Sequence, residues 1–271
     1  MPEVLIEVSG LTKRFGAMRA LEDVSFELRA GEVLGLVGES GSGKSTAIRC
    51  MVGLEKPTAG RIAYEGIDLA TATREQMRRY RRDVQMIFQD PYSSLDPRMT
   101  VMQILEEPML VAGGYTAAAR RERILYLLHR LGLHQEHLSR YPRHFSGGQR
   151  QRIAIIRALT VEPRVLLCDE PVSALDVSVQ AQVLNLLKDM QKELGLTILF
   201  VAHDLAVVKY LCTRVVVLRH GVVEETGDVA QVYTAPKAAY TRELLDAVAV
   251  PDPQVERERR AARLARLAAA R

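Results

Sequence analysis

The chain has 271 residues, 48 % of them apolar, enough for a substantial core in one large domain or two small ones. Cys50, Cys168 and Cys212 are too few and too scattered for a disulfide framework or a thiolate metal site, and predict reduced thiols in a cytosolic protein. The net charge of +4 is largely local, since Val255 to Arg271 holds six arginines and two glutamates. No aromatic residue lies in that run and only Tyr80 in Arg74 to Arg82, so both are read as solvated faces and nucleic-acid stacking is poorly supported.

Residues 3 to about 30 alternate apolar and polar, predicting antiparallel strands. An apolar strand, Val33 to Val37, then leads into Gly38-Glu39-Ser40-Gly41-Ser42-Gly43-Lys44-Ser45-Thr46 and a helix from Ala47. Strand, glycine-rich loop and helix make a phosphate-binding loop. Gly38, Gly41 and Gly43 let backbone N–H groups turn inward, and the helix adds its positive end. Lys44 can reach terminal phosphates, and the Ser45 hydroxyl can ligate magnesium.

Residues 61 to 69 predict a further strand near Tyr64. Residues 90 to 145 lack strand patterning and carry helical stretches, notably Ala117 to Leu131, stopped by Gly132. His134 and His137 lie one turn apart there, but no carboxylate or thiol completes a metal set. Met99, Met102 and Met109 suit ordinary packing or an adaptable docking groove. In Phe145-Ser146-Gly147-Gly148-Gln149, Ser146 and Gln149 form an S-x-x-Q capping box opening a helix to Leu159.

Arg164 to Glu170 reads as a buried parallel strand ending in two carboxylates. Asp169 can hold the magnesium shell through water, and Glu170 can polarise an attacking water. Asp176 or Ser178 caps a helix to Leu194, closed by Gly195. A buried strand follows from Leu196 to Val201. The apolar run Leu196 to Cys212 is interrupted by His203, Asp204 and Lys209, so it does not span a bilayer. No signal segment is expected at the start. Arg214 to Leu218 and Val222 to Glu225 predict a hairpin around Arg219-His220-Gly221, and no tandem repeat is present.

Taken in order, these motifs resemble the ATP-binding cassette (ABC) ATPases over residues 3 to about 250. The resemblance implies an α/β fold: a P-loop NTPase core of RecA type, an antiparallel β subdomain and an inserted helical subdomain at about 90–160. It makes residues 1–250 the nucleotide-binding domain and 251–271 a basic tail, helical or disordered. It implies ATP and magnesium as cofactors, with Ser45, Gln89 and Asp169 around the metal. Lys44, Glu170 and His203 are the implied catalytic residues, His203 steadying the γ-phosphate and attacking water. Phe15 matches the aromatic that stacks on adenine. The family often has Tyr there, but stacking uses only the ring face. Ser146, Gly147, Gly148 and Gln149 match the segment that contacts the γ-phosphate held by the opposite subunit. Ser173 to Asp176 matches the loop crossing the dimer interface. Phe145 stands where the family commonly has Leu.

Gln89-Asp90-Pro91-Tyr92-Ser93-Ser94-Leu95-Asp96-Pro97-Arg98 is similar to the oligopeptide and dipeptide importer ATPases, which include nickel importers. Tyr233 to Lys237 followed by Tyr240 to Leu245 is similar too. The resemblance implies a second ABC ATPase as partner, a related chain rather than an identical copy, with a homodimer as the alternative. It also implies two transmembrane permeases, an extracytoplasmic binding protein, and a place on the cytoplasmic face of the membrane. No cysteine cluster follows Cys212, which argues against an iron–sulfur centre. Nickel or another small solute is the alternative cargo. A soluble ABC ATPase of repair or translation is the alternative class, without the coiled-coil insertion or second cassette expected of it.

Overall fold

A computed structural model describes residues 3–90 and 94–247. The basic tail from Val255 and the Pro91 to Ser93 stretch lie outside the described residues. The fold has two sheets.

The first is antiparallel. Strands β1 (Val4–Phe15) and β2 (Met18–Arg29) form a long hairpin. From Val24 onward β2 alternates strictly, with Val24, Phe26 and Leu28 buried and Ser25 exposed, as a sheet with one covered face requires. Strand β4 (Ala59–Tyr64) pairs with the other edge of β1, and β5 (Ile67–Asp68) completes the order β2-β1-β4-β5.

The second sheet has the order β10-β9-β3-β8-β7-β6. Its strands are β3 (Val33–Val37), β6 (Val84–Ile87), β7 (Val165–Asp169), β8 (Thr197–Ala202), β9 (Arg214–Arg219) and β10 (Val222–Asp228). All neighbours are parallel except the β9–β10 hairpin. The inner strands are apolar without alternation because both faces are covered. Leu34, Leu36, Leu167, Leu199, Val201 and Val216 face a core shared with the antiparallel sheet and helix α1 (Lys44–Met51). Val33, Val37, Leu166, Cys168, Ile198, Phe200 and Val215 face a second core shared with helices. Odd and even positions of each strand therefore serve different cores.

Between β6 and β7 the described residues hold only helices and turns. These are α3 (Val101–Ala112), α4 (Ala117–Arg130), short 3₁₀ turns at 135–139 and 142–144, and α5 (Gly147–Leu159). Thr100 with Gln103, and Ser146 with Gln149, form reciprocal capping boxes at the starts of α3 and α5. Leu131 caps α4, and Gly132 turns left-handed at φ +67°. His134 donates its amide to His137 Nδ1 at 3.0 Å, so this pair closes a turn. His137 is buried against Phe145, edge to face at 5.4 Å, and burial holds its pKa below the ordinary value. The Phe145 ring thus packs against an imidazole.

Helix α2 (Arg74–Asp83) precedes β6 and buries Tyr80 and Asp83 while leaving Arg74, Arg78, Arg81 and Arg82 exposed, as its basic run predicts. Helix α6 (Val177–Leu194) runs from its cap at Asp176 to a left-handed Gly195. Helices α7 (Leu205–Leu211), α8 (Val229–Thr234) and α9 (Ala239–Asp246) follow. The three cysteines are buried and unpaired.

Helix α9 is seated by a buried carboxylate. Glu225 of β10, 7 % exposed, accepts the amides of Lys237 at 2.9 Å and Ala238 at 3.0 Å. Burial disfavours its charge, but these donors prevail and hold the carboxyl below its ordinary pKa. A depressed folded pKa stabilises above the unfolded value and fades as pH falls through the folded one. Glu225→Ala should therefore cost about 1–2 kcal/mol at neutral pH by leaving two part-buried amides without their acceptor. Urea titrations of both proteins should show that difference shrinking below about pH 4.

Candidate nucleotide site

The glycine-rich loop leaves β3 at Gly38 and enters α1 at Lys44. Its course is set by close backbone approaches. A Cβ on Gly38 would lie 2.1 Å from the Leu218 carbonyl oxygen, and one on Gly43 would lie 2.5 Å from that of Ala20. Both glycines have positive φ, +150° and +102°. Only glycine lets the loop sit this close to β9 and β2. The hairpin turn adds a tie, with Gly221 donating its amide to Ser42 O at 3.0 Å.

Glu39, Ser40 and Gly41 form the exposed crest of the loop, whereas Ser42 and Lys44 are buried and Ser45 and Thr46 half-buried. No side chain caps α1, so its first-turn amides stay available to an anion. Lys44 Nζ donates to Gly38 O and Glu39 O, each at 2.8 Å. Its third proton has only a longer bond, to Ser42 Oγ at 3.4 Å, which a phosphate oxygen could replace. Burial lowers the Lys44 pKa, and the nearby Glu170 and Asp169 carboxylates oppose that effect.

The carboxyl ends of β6, β7 and β8 lie beside this loop. Ser45 Oγ donates to Asp169 Oδ1 at 2.8 Å. Burial raises the Asp169 pKa, against the Ser45 hydrogen bond. Glu170 takes a left-handed backbone at φ +45°. That turn ends the strand and aims the two neighbouring carboxylates apart. Gln89, just after β6, donates Nε2 to Glu170 Oε2 at 3.1 Å. His203, just after β8, brings Nδ1 within 3.4 Å of the same oxygen. Gln89, Glu170 and His203 are therefore one cluster. Ligands of doubly wound sheets lie at such strand ends. The Ser45 hydroxyl and Asp169 carboxylate are hard oxygen donors that suit magnesium sharing its shell with phosphates and water.

A second group surrounds the starts of α5 and α6. Ser146 Oγ accepts the Gln149 amide at 3.3 Å, and Asp176 accepts that of Val179 at 3.0 Å. A Cβ on Gly148 would meet Val179 Cγ1 at 2.4 Å, and one on Gly147 would approach Leu175 at 3.7 Å. Gly148 is thus also a packing glycine. The Ser178 hydroxyl and the Val179 amide hold the Asp176 carboxyl below its ordinary pKa. No hydrogen bond joins this group to Lys44, Asp169 or Glu170 among the described residues.

Phe15 stands at the end of β1, 40 % exposed, with Lys13 Nζ 4.6 Å over its ring. Met18, its cross-strand partner, is 61 % exposed. A ring this exposed, at the turn end of the β1–β2 hairpin, can receive a flat heterocycle.

Sequence reasoning missed what supports the loop from outside. Tyr240 Oη accepts the Glu39 amide at 3.1 Å, across 201 positions of sequence. Leu218, Ala20 and Gly221 brace the loop through backbone atoms, and no residue type signals that role.

Comparison with known proteins agrees with this geometry. Residues 21–173 match the family model described as ABC transporter. A putative peptide import ATP-binding protein of Brucella ovis is 51 % identical over 94 % of this chain and 82 % of its own length. The oligopeptide transport ATP-binding protein OppF of Bacillus subtilis is 47 % identical over 96 % of this chain and 87 % of its own. Among solved structures, a dimeric ATP-binding cassette in a post-hydrolysis state, bound to ADP and Pi, superposes with a TM-score of 0.74 at 31 % identity. That match covers 83 % of this chain and 99 % of the other. With its phosphate loop, its carboxylate-ended strand and these relatives, the chain belongs to the ABC transporter family of ATP-binding cassettes.

Proposed function

We propose that this chain is the ATP-hydrolysing subunit of an importer that takes up oligopeptides or dipeptides. The observation that carries hydrolysis is the meeting of Gln89, Glu170 and His203 beside the phosphate loop. Peptide as cargo is supported by the names of the relatives and by the Gln89-to-Arg98 segment.

In this reading Phe15 stacks on adenine, and residues 38–46 wrap the phosphates. Lys44 neutralises the terminal oxygens. Ser45, Gln89 and a water on Asp169 would hold magnesium, which would supply positive charge beside the phosphates. Glu170 accepts a proton from the attacking water. His203 and Gln89, both at Glu170 Oε2, orient the carboxylate and the γ-phosphate. The Ser146–Gln149 turn points its helix start at an anion its own loop does not hold. Two chains head to tail would therefore complete two sites, Asp176 lying at the junction. Loss of the γ-phosphate removes the link between the halves, a common order switch of nucleotide hydrolases.

No helix among the described residues is long and apolar enough to cross a membrane. Transport then requires two permeases, which place this chain at the cytoplasmic face, and an extracytoplasmic binding protein that selects the cargo. A groove of about 840 Å³ beside Gln89 suits a permease segment. Leu54, Phe88 and Val111 expose apolar surface there, and Arg78 and Arg81 form a basic rim. Val111→Asp, at a position 82 % exposed, should spare folding and nucleotide binding yet abolish co-purification with permeases from native membranes. Mass spectrometry of the wild-type complex tests the whole reading. Repair or ribosomal partners without a permease would overturn it, whereas a nickel- or sugar-loaded binding protein would overturn only the peptide cargo.

A further inference from the structure

The peptide unit between Gly38 and Glu39 is gripped at both ends. Its carbonyl oxygen accepts from Lys44 Nζ at 2.8 Å, and its N–H donates to Tyr240 Oη at 3.1 Å. Lys44 also donates to Glu39 O, in the next peptide, at 2.8 Å, so two consecutive carbonyls, the first in the gripped peptide, decide where the ammonium rests. A peptide plane is rigid, and fixing its N–H fixes its carbonyl.

Tyr240 is itself held in place. It is 3 % exposed, in the first turn of α9. The Arg219 guanidinium lies 4.6 Å over its ring. Arg219 Nε is buried without a hydrogen-bond partner, so the ring face is a principal contact of that cation. Arg219 follows Leu218, whose carbonyl oxygen is the atom that confines Gly38. Glu225 in turn fixes the two amides immediately ahead of α9. An unbroken set of contacts thus runs from β10 through α9 to the loop.

We propose that Tyr240 is a positioning residue for the phosphate loop: by accepting the Glu39 amide it holds the peptide on which Lys44 rests, and so sets the affinity for the phosphates of ATP. The proposal depends on reading residues 38–46 as the ATP site. It makes the segment after β10 a control point for nucleotide binding, although it supplies no group to the reaction. Anything that lifts α9 from the core would loosen the loop through this one hydroxyl.

Tyr240→Phe deletes the hydroxyl and keeps the ring under Arg219. Mg-ATP binding to the purified chain, followed by calorimetry, should weaken about threefold to tenfold, the worth of one neutral hydrogen bond. In the assembled complex KM for ATP should rise in parallel, while kcat at saturating ATP changes less than about twofold. The melting temperature of Y240F should stay close to wild type, whereas Tyr240→Ala should lower it through lost packing. Unchanged affinity in Y240F, or a fall confined to kcat or to melting temperature, would overturn the proposal and leave Tyr240 a packing residue. Should Y240F fail to fold, Glu225→Gln carries the test, since it loosens α9 without touching Tyr240. It should weaken Mg-ATP binding in the same direction, and an unchanged affinity would be equally damaging. No Mg-ATP binding by the wild-type chain would overturn the nucleotide site itself and this inference with it.

Discussion

Lys44→Ala is expected to weaken Mg-ATP binding about 10- to 100-fold, since a charge-assisted hydrogen bond is worth about 1.5–3 kcal/mol. Two losses combine. The terminal phosphates lose their buried cation, and Gly38 O and Glu39 O lose their shared donor. Alanine leaves the loop free to turn those carbonyls toward the phosphates, where their partial negative charge repels. Lys44→Arg should not rescue binding, because a planar fork cannot serve two converging carbonyls and a phosphate from the place of a compact ammonium. Calorimetry on the purified chain and phosphate release in the assembled complex would measure both effects. Affinity and turnover near wild type would remove residues 38–46 from the nucleotide site.

Glu170→Gln should separate binding from hydrolysis. Glutamine keeps the shape and can still accept from Gln89 or His203, but it no longer takes a proton from water. Turnover should fall by about 10²-fold or more, the usual worth of a positioned general base. ATP should still bind, because the loop and Asp169 are untouched, and undivided ATP should hold two chains together. Size-exclusion chromatography with Mg-ATP would then show a dimer that wild type forms only briefly. Turnover at the wild-type rate, with the change in both cassettes of the complex, would rule out Glu170 as the base.

The two substitutions differ because Lys44 and Glu170 occupy different parts of one strand-end platform. Lys44 is buried among backbone carbonyls, and in the proposed mechanism it acts on phosphate throughout. The Glu170 carboxylate instead meets two side chains, Gln89 and His203.

Much of this was legible in the chain itself. The strands from Val33, Val165 and Thr197 are runs of apolar residues because both faces are buried, and such runs need no partner to be read. Helix ends were equally local: Asp176, Gly195, Ser146 with Gln149, and Gly132 all act within a few residues of their own position. The glycine loop declared its chemistry because its backbone conformation and its lysine are encoded side by side.

What the sequence could not determine is which distant atoms those pieces meet. Tyr240 lies 201 positions from Glu39, and its hydrogen bond depends on how α9 packs against β10. Gly38 and Gly43 are glycines for reasons of chain reversal and also because carbonyls of Leu218 and Ala20 press on them, and only the packed sheets reveal the second reason. Likewise Gln89, Glu170 and His203 are unremarkable residues singly. They become a cluster because β6, β7 and β8 lie adjacent and in parallel register, so that the side chains after β6 and β8 meet one oxygen of the Glu170 carboxylate after β7. Local sequence set each element and its chemistry, since backbone preference and side-chain type act over a few residues. Tertiary packing decided which of them touch, since strand order and the seating of helices depend on the whole chain at once.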